Sequence, residues 1–273
     1  MKKLNFGCGS RTAAGWVNID VYSASPEVRR VNLLKRWPFP DGYFDAAYSS
    51  HVLEHFTPSQ ADHLIAEAYR VLRPGGILRT VVPDLEATCR EYLRILDASS
   101  LVDARKEYDW ITLELLDQLT RSEAFGTMSS YLEWLSQSKD ADLRAYVLGR
   151  TGRTGAAAAP AKGLMTKFRS ISPQKIYNKL FYIYLNAVSH AFPSHIRSQV
   201  MILTGLGERH RWMYDRIGLS LLLRKHGFEG MTVHDPGTSS IPNFSADRLD
   251  IEDDGTPYKR VSIYVESSKP ASG

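Results

Sequence analysis

The sequence predicts an α/β protein with a doubly wound, mostly parallel sheet and a helical insertion before the last strands. Short β-like runs alternate with one clear helix over the first ninety residues, and two more strand candidates close the chain. Between them, from Asp84 to about Gly227, helix follows helix without an intervening strand. The 273 residues are 43% hydrophobic and 23% charged, which suffices for a folded core and excludes collagen, coiled-coil and disordered classes.

The first part of the chain predicts four strands, a helix and a fifth strand. The four β-like runs are Lys3–Phe6, Trp16–Asp20, Arg30–Leu33 and Asp45–Ser49. A helix is predicted from Pro58-Ser59, because Leu64, Ile65, Ala68, Val71 and Leu72 share one face. Arg73-Pro74-Gly75-Gly76 ends the helix, and Ile77–Val82 is predicted as a strand that stops at Pro83.

The remaining part predicts a helical block and a return to the sheet. The predicted helices are Glu86–Ala98, Tyr108–Thr120, Ser130–Leu148, Pro173–Ala191, Ser194–Leu203 and Tyr214–His226, and the last strands are Met231–His234 and Arg260–Glu266. An alanine-rich stretch, Thr151–Gly163, predicts an exposed linker. We therefore expect an α/β core at 1–98, a helical insertion or lid at 99–210 with its linker near 151–163, and the rest of the core at 211–273.

Charge is unevenly distributed along the chain. The formal net charge is +4, yet Leu143–Trp212 contains eleven Lys and Arg against one acid, Glu208. This basic segment indicates a face for anions, a solvated surface, or a patch that contacts an anionic membrane, with nucleic acid the least favoured partner. The aromatic residues within it, Tyr177 to Tyr184, are more typical of a core stripe than of a sugar-stacking platform.

Cysteine content and apolar run lengths bear on location. Only Cys8 and Cys89 occur, and Met1 is not followed by an apolar segment typical of a secretory signal, so a cytoplasmic location is expected. The apolar stretches are too short to cross a bilayer, which takes about 20 residues.

A glycine-rich turn follows the first predicted strand, at Gly7-Cys8-Gly9. Glycines allow a ligand to approach the backbone, although a tight structural turn explains them equally well. Thr12 stands where a nicotinamide dinucleotide fingerprint needs its third glycine, which disfavours a dehydrogenase. Asp20 ends the next strand, where its carboxylate could accept hydrogen bonds from ribose hydroxyls.

Five ordered motifs carry a family resemblance. They are Asn5-Phe6-Gly7-Cys8-Gly9, Gly15-Trp16-Val17-Asn18-Ile19-Asp20, Pro38-Phe39-Pro40-Asp41-Gly42-Tyr43-Phe44-Asp45, His51-Val52-Leu53-Glu54-His55 and Leu72-Arg73-Pro74-Gly75-Gly76. In this order and spacing they resemble the class I S-adenosylmethionine-dependent methyltransferases, in particular the type 11 branch. Arg211-Trp212-Met213-Tyr214-Asp215 and the last strand resemble predicted methyltransferases associated with polysaccharide synthesis. The resemblance implies a Rossmann-like sheet and S-adenosylmethionine as cofactor, with no metal.

The resemblance also implies roles for single residues. Asn5 belongs to the first motif, and Gly7, Cys8 and Gly9 would line the methionine and ribose part of the cofactor. Asp20 would bind the ribose hydroxyls. The remaining implied cofactor contacts are Asn32 and Leu33 beside the adenine, and Ser50 and His51 beside the methionine.

Methyl transfer to a hydroxyl needs a base, because the nucleophile must lose its proton. His51 is the first candidate, and Asp84 and His210 are its rivals. Glu54 and His55 are interpreted as structural residues that fix the start of the following helix. Nothing around Cys8 indicates a thiol nucleophile or a metal site.

The predicted function is therefore methyl transfer from S-adenosylmethionine to a hydroxyl of a sugar, a glycoconjugate or another anionic small molecule. The helical insertion would cover the cofactor, and Arg211 is the candidate for acceptor contact. Two alternatives remain open: a non-catalytic scaffold or sensor that binds S-adenosylmethionine, and a protein that binds a membrane surface through the basic segment.

Overall fold

The computed structural model describes residues 1–22, 25–98, 104–121, 126–152 and 209–271, together with Tyr184 and Val188. The chain divides into two compact units. The first comprises 1–98, 150–152 and 210–273, and the second comprises 99–149 and 153–209. Apart from Tyr184 and Val188, the second predicted helical block lies outside the described residues, as does nearly all of the predicted linker.

Seven strands of the described residues form one sheet in the first unit. They are β1 (Lys3–Phe6), β2 (Trp16–Asp20), β3 (Val28–Arg30), β4 (Phe44–Ser50), β5 (Leu72–Pro83), β6 (Glu229–His234) and β7 (Ser262–Ser268). Their order is β3-β2-β1-β4-β5-β7-β6. β1 to β5 pair in parallel, whereas β7 is antiparallel to both β5 and β6. This confirms the predicted α/β class with a mostly parallel sheet.

Seven helices occur among the described residues, and α3 to α5 follow one another without a strand between them. They are α1 (Pro58–Val71), α2 (Leu85–Ala98), α3 (Ala104–Thr120), α4 (Gly126–Gln137), α5 (Ala141–Thr151), α6 (Arg216–Lys225) and α7 (Phe244–Asp247), with a 3-10 turn at Leu53–His55. Within the described part of the chain, every helix is too short or too polar to cross a membrane.

Helix α1 begins where the sequence predicts, but for a different reason. Thr57 caps it: its hydroxyl accepts from the Gln60 amide, and the Gln60 side chain accepts from the Thr57 amide. The interpretation of Glu54 and His55 as the residues that fix this helix start is therefore wrong. They form the separate 3-10 turn that precedes the cap.

Several predicted boundaries shift because pairing and capping decide them. The third strand is Val28–Arg30 and not Arg30–Leu33, since Val28 to Arg30 pair with the end of β2. β5 begins at Leu72 and not at Ile77, because Leu72 pairs with Phe44 before the register shifts at the glycines.

One predicted helix is divided. The expected helix Ser130–Leu148 is two helices, α4 and α5, because Asp140 lies between them and its carboxylate accepts from the Leu143 amide. In the second unit these two helices and α3 enclose a small core of Trp110, Leu135, Leu143 and Val147.

The sheet of the first unit is covered on both faces, as a parallel sheet requires. Side chains alternate along β4, so Ala47 joins the larger core with Leu4, Phe6 and helix α1, while Ala46 and Tyr48 join the other core with Trp16. Because β1, β2, β4 and β5 run in parallel, the loops that follow them lie at the same carboxyl edge of the sheet.

A buried ion cluster ties β5 to the last part of the chain. Arg79 is fully buried, and its guanidinium donates to Asp250 Oδ2 at 2.7 Å and to Glu266 Oε1 at 2.8 Å. Each charge is matched by a partner at hydrogen-bonding distance, which a buried arginine needs.

Candidate active site

The strand order creates a crevice beside β1 and β4. From β1 the chain continues outward to β2 and β3, and from β4 it continues in the opposite direction to β5. In open α/β sheets, ligands bind outside the carboxyl ends of the strands at such a switch point. The structure therefore brings together the residues that follow these strands: Gly7 to Gly9, Asp20, Ser50 to His51, and Asp84.

The glycine turn has two glycines with different surroundings. Gly7 and Gly9 both have positive φ, +67° and +52°. A Cβ at Gly7 would lie 2.4 Å from Val52 Cγ2, whereas a Cβ at Gly9 would meet nothing within 4 Å. Gly7 is thus needed for packing against the segment after β4, and Gly9 leaves open space that a ligand can enter.

Asp20 is held in place by the backbone around it. Its Oδ2 accepts from the Gly9 amide at 2.9 Å, and its Oδ1 accepts from the Tyr22 amide at 3.0 Å. The side chain is half-buried at the end of β2. Each carboxylate oxygen retains a second acceptor position, so the group is suited to a vicinal pair of hydroxyls.

Asn5 and Cys8 are the buried side chains next to the glycine turn. Asn5 is buried and its amide donates to Asn18 Oδ1 and to the Arg11 carbonyl, both at 2.9 Å, so this side chain is engaged within the loop. Burial, with the charge of Asp20, raises the pKa of the Cys8 thiol to about 12. A thiol with that pKa stays protonated near neutral pH and is a poor nucleophile.

The predicted adenine contacts differ in exposure. Asn32 is exposed and its Oδ1 accepts from the Leu34 amide at 3.0 Å, which leaves its NH2 and one acceptor position for a ligand. Leu33 is buried in the larger core, so only its backbone is available for contact with a ligand.

His51 occupies a strained position directly after β4. Its φ is +53°, and its amide donates to the Val81 carbonyl at 2.9 Å. The ring nitrogen Nε2 lies 2.9 Å from Ser262 Oγ, and Nδ1 lies 3.2 Å from Glu54 Oε1. Burial, then the nearby positive charges, hold the pKa of His51 well below its usual range, so the ring is neutral.

Asp84 has a structural task. Its Oδ1 accepts from the Ala87 amide at 3.1 Å, and its carbonyl accepts from the Thr88 amide and hydroxyl. This is the arrangement of an N-cap, here for α2. Of the three residues predicted as bases, Asp84 is thus the one whose carboxylate is committed to a helix end.

His210 lies beside the 3-10 turn after His51. Its ring meets that of His55 edge to face, with centroids 5.0 Å apart. The amide of the next residue, Arg211, donates to the Glu54 carbonyl at 2.7 Å. Glu54 is fully buried, and burial raises the pKa of its carboxyl to about 8.

Sequence reasoning gave no site role to three neighbours of these residues. Val52 makes Gly7 necessary, Ser262 contacts the His51 ring, and Glu54 lies between the two predicted histidines. Only Glu54 left a signal in the sequence, since it follows His51 by three residues and is one turn away from it. Ser262 comes from the far end of the chain.

Residues 4–80 match the family model described as a methyltransferase domain. A stretch of 44 residues is 43% identical to an uncharacterized methyltransferase of Synechocystis sp.. That stretch covers 16% of this chain and 21% of the relative, so the chain matches about a fifth of the length of this curated protein.

Two solved structures of S-adenosylmethionine-dependent methyltransferases resemble the chain loosely over almost its whole length. The protein from Methanosarcina mazei is 14% identical, with 99% of this chain and 93% of that chain covered and a TM-score of 0.40. The protein from Archaeoglobus fulgidus is 10% identical, with 98% and 86% covered and a TM-score of 0.39. The fold itself follows from the observed strand order.

The matched segment includes the glycine turn, Asp20 and the end of β4. The open side of Gly9 and the remaining acceptor positions of the Asp20 carboxylate lie next to each other within this matched segment. The family-model match shows that residues 4–80 are similar to a methyltransferase domain.

Proposed function

We propose that the protein transfers the methyl group of S-adenosylmethionine to a hydroxyl of a sugar, a glycoconjugate or another anionic small molecule. The observation that carries the proposal is the turn at Gly7–Gly9 joined to Asp20 by the 2.9 Å hydrogen bond from the Gly9 amide. The proposal is supported by this contact because the open side of Gly9 lies next to a carboxylate, and ligands of open α/β sheets bind at such a switch point.

The cofactor supplies a methyl group that its sulfonium already activates. The residues of the chain therefore have to bind the donor, exclude water and orient an acceptor oxygen. Asp20 would accept hydrogen bonds from the ribose hydroxyls, and Asn32 would contact the edge of the adenine. The backbone of Gly9 would lie in contact with the methionine and ribose part of S-adenosylmethionine. Ser50 and His51, at the end of β4, would lie nearest the reacting methyl group.

His51 is our candidate for the group that accepts the proton of the acceptor hydroxyl. Its Nε2 faces Ser262 Oγ at 2.9 Å, so an acceptor would have to replace that hydroxyl as the partner of the ring. Asn tolerates a positive φ better than most residues, which makes His51→Asn a suitable test. We expect it to reduce kcat strongly, with a much smaller effect on the dissociation constant of S-adenosylmethionine.

The anionic character of the acceptor is supported by charge. Eleven Lys and Arg against one acid between Leu143 and Trp212 form the most basic stretch of the sequence. The resemblance to methyltransferases associated with polysaccharide synthesis points to the same class of acceptor, as does the position of Arg211 beside His210 in the chain. An acid-rich or neutral acceptor site would contradict this assignment.

The donor site is tested first, by calorimetric titration with S-adenosylmethionine and S-adenosylhomocysteine. We expect micromolar binding of both. Asp20→Asn should weaken both by about 10- to 100-fold, because a charge-assisted hydrogen bond to a hydroxyl is worth about 1.5–3 kcal/mol. Asp62→Asn, on α1, is the matched control and should bind normally.

Turnover is tested with methyl-labelled cofactor and panels of sugars, sugar phosphates and lipid-linked sugars. Binding without S-adenosylhomocysteine production with any acceptor would favour a scaffold or sensor. Sedimentation with anionic liposomes distinguishes a membrane-binding protein. Absence of donor binding in a folded sample would refute the proposal.

A further inference from the structure

Three potential metal ligands meet next to the donor crevice. Glu54 and His55 come from the 3-10 turn, and His210 comes from the segment that returns to the first unit. One carboxylate oxygen and one nitrogen of each ring all lie within 4.8 Å of one another. The hydrogen bond from the Arg211 amide to the Glu54 carbonyl, 2.7 Å long, fixes the returning segment against the turn.

The carboxylate of Glu54 is the unusual member of this group. The side chain is completely buried, and neither oxygen accepts a hydrogen bond of good geometry within the described residues. The nearest side-chain nitrogens are His51 Nδ1 at 3.2 Å and His55 Nε2 at 4.0 Å from Oε1. Burying an ionised carboxylate without a cation or hydrogen-bond donors is strongly unfavourable, so Glu54 can carry its charge in this place only beside a positively charged partner.

The spacing of the three ligand atoms suits a metal ion. If all three lay at the 4.8 Å limit, a point equidistant from them would be about 2.8 Å from each, against about 2.0–2.2 Å for zinc bonds to nitrogen and oxygen. Each ligand atom would then move by about 0.8 Å or less to reach bonding distance. Side-chain rotation alone provides such a shift.

We propose that Glu54, His55 and His210 bind a divalent transition-metal ion of the zinc class. Two imidazoles and a carboxylate favour zinc or cobalt over magnesium and calcium, which prefer oxygen ligands. Three protein ligands leave a coordination position for water or for a further ligand. His51 takes the part of an outer partner, since its Nδ1 faces the Glu54 oxygen and would orient the carboxylate toward the ion.

The first experiment measures metal binding by the full-length protein after dialysis against a chelator. Titration with Zn²⁺ is followed by calorimetry, and titration with Co²⁺ by the visible absorption of a low-symmetry cobalt site. Mg²⁺ serves as the comparison ion. We expect stoichiometric Zn²⁺ and Co²⁺ binding with a visible cobalt band, and no competition from Mg²⁺.

Two variants locate the site. Glu54→Gln and His210→Ala should each weaken Zn²⁺ binding on the order of 100-fold or more, because loss of even an outer partner costs about 10- to 100-fold. His63→Ala, on α1 and outside the cluster, is the matched control and should bind as the wild type does. Glu54→Gln should fold normally, since glutamine keeps the size of the side chain and carries no charge, and thermal unfolding in chelator checks this.

The metal titrations distinguish a specific site from its absence and from surface binding. No uptake of Zn²⁺ or Co²⁺ by the folded wild-type protein would overturn the proposal, as would uptake that both variants retain, which would indicate adventitious surface binding. S-adenosylmethionine titration of the same chelator-treated samples is read independently. The metal site and the donor site can therefore fail separately.

Discussion

The two glycines of the donor turn allow a sharp test of why this turn has its sequence. Gly7→Ala and Gly9→Ala add the same methyl group to residues with similar positive φ, +67° and +52°. At Gly7 the new Cβ would lie 2.4 Å from Val52 Cγ2 and 2.9 Å from Cγ1, whereas at Gly9 it would face open space. The difference between the two variants therefore isolates the contact with Val52.

The magnitudes follow from two effects. An alanine in the left-handed region costs roughly 1–2 kcal/mol, and the reduced freedom of the unfolded chain returns about 0.4–1 kcal/mol of this. Gly9→Ala should thus lower the free energy of unfolding by about 1.5 kcal/mol or less. Gly7→Ala adds an overpacked contact of about 1–3 kcal/mol, for a total loss of about 1–4.5 kcal/mol.

Urea unfolding of the single variants and of Gly7→Ala combined with Val52→Ala measures these terms. The double variant should be more stable than additivity predicts by about 1–2 kcal/mol, because the shortened side chain at position 52 makes room for the new methyl group. Equal destabilisation by Gly7→Ala and Gly9→Ala, or strict additivity with Val52→Ala, would refute the packing argument.

The same variants separate stability from ligand binding. Because the opening lies at Gly9, its alanine variant should lose affinity for S-adenosylmethionine while remaining nearly as stable as the wild type. Unchanged affinity in that variant would show that the opening is not part of the donor site.

The other predictions concern the buried charges and the thiols. Arg79→Met leaves the buried carboxylates of Asp250 and Glu266 without their cation. It should lower the free energy of unfolding, measured in urea at pH 7, by about 3–5 kcal/mol. A loss below about 1 kcal/mol would contradict the role given to the ion cluster. Burial by itself raises the pKa of Glu67, but hydrogen bonds from Arg70 and from a backbone amide outweigh it and hold this pKa below its usual 4.5. The stabilisation from Glu67 is therefore complete above about pH 4.5 and is lost as the pH falls through the lower pKa of the folded state. Glu67→Gln should lower the free energy of unfolding by about 2 kcal/mol at pH 7. In unfolding measurements at successively lower pH, this loss should become smaller. Iodoacetamide at pH 8 should label half-buried Cys89 faster than buried Cys8 in the native protein, and denaturant should abolish the difference; preferential native labelling of Cys8 would contradict its raised pKa.

The local sequence pattern predicts the bounds of an element well where those bounds depend on the residues of that element alone. β1, β2 and β4 were predicted within a residue of their observed ends, and α1 begins at Pro58 as expected. Their signals are alternation, a run of β-branched or aromatic residues, and apolar positions at helical spacing, all of which are properties of the segment itself. The glycine turn and Asp20 belong to the same class, since both follow directly from where two strands end.

Boundaries failed where a distant or interrupting contact decides them. β3 is three residues that pair with the end of β2, and the pairing partner cannot be read from the residues of β3. The break between α4 and α5 depends on Asp140, whose carboxylate accepts a hydrogen bond from the Leu143 amide and so caps α5 instead of continuing α4. β5 is longer than predicted because its first residue pairs across a register shift.

Short-range order along the chain is enough to predict the sheet class, the glycine turn, Asp20 and the resemblance to methyltransferases. Long-range packing sets the contact of Ser262 with His51 and the approach of His210 to Glu54. Hydrogen bonds and metal ligation need atoms within a few ångströms of each other. Residues far apart in the chain reach such distances only when the sheet closes and the returning segment packs against the 3-10 turn.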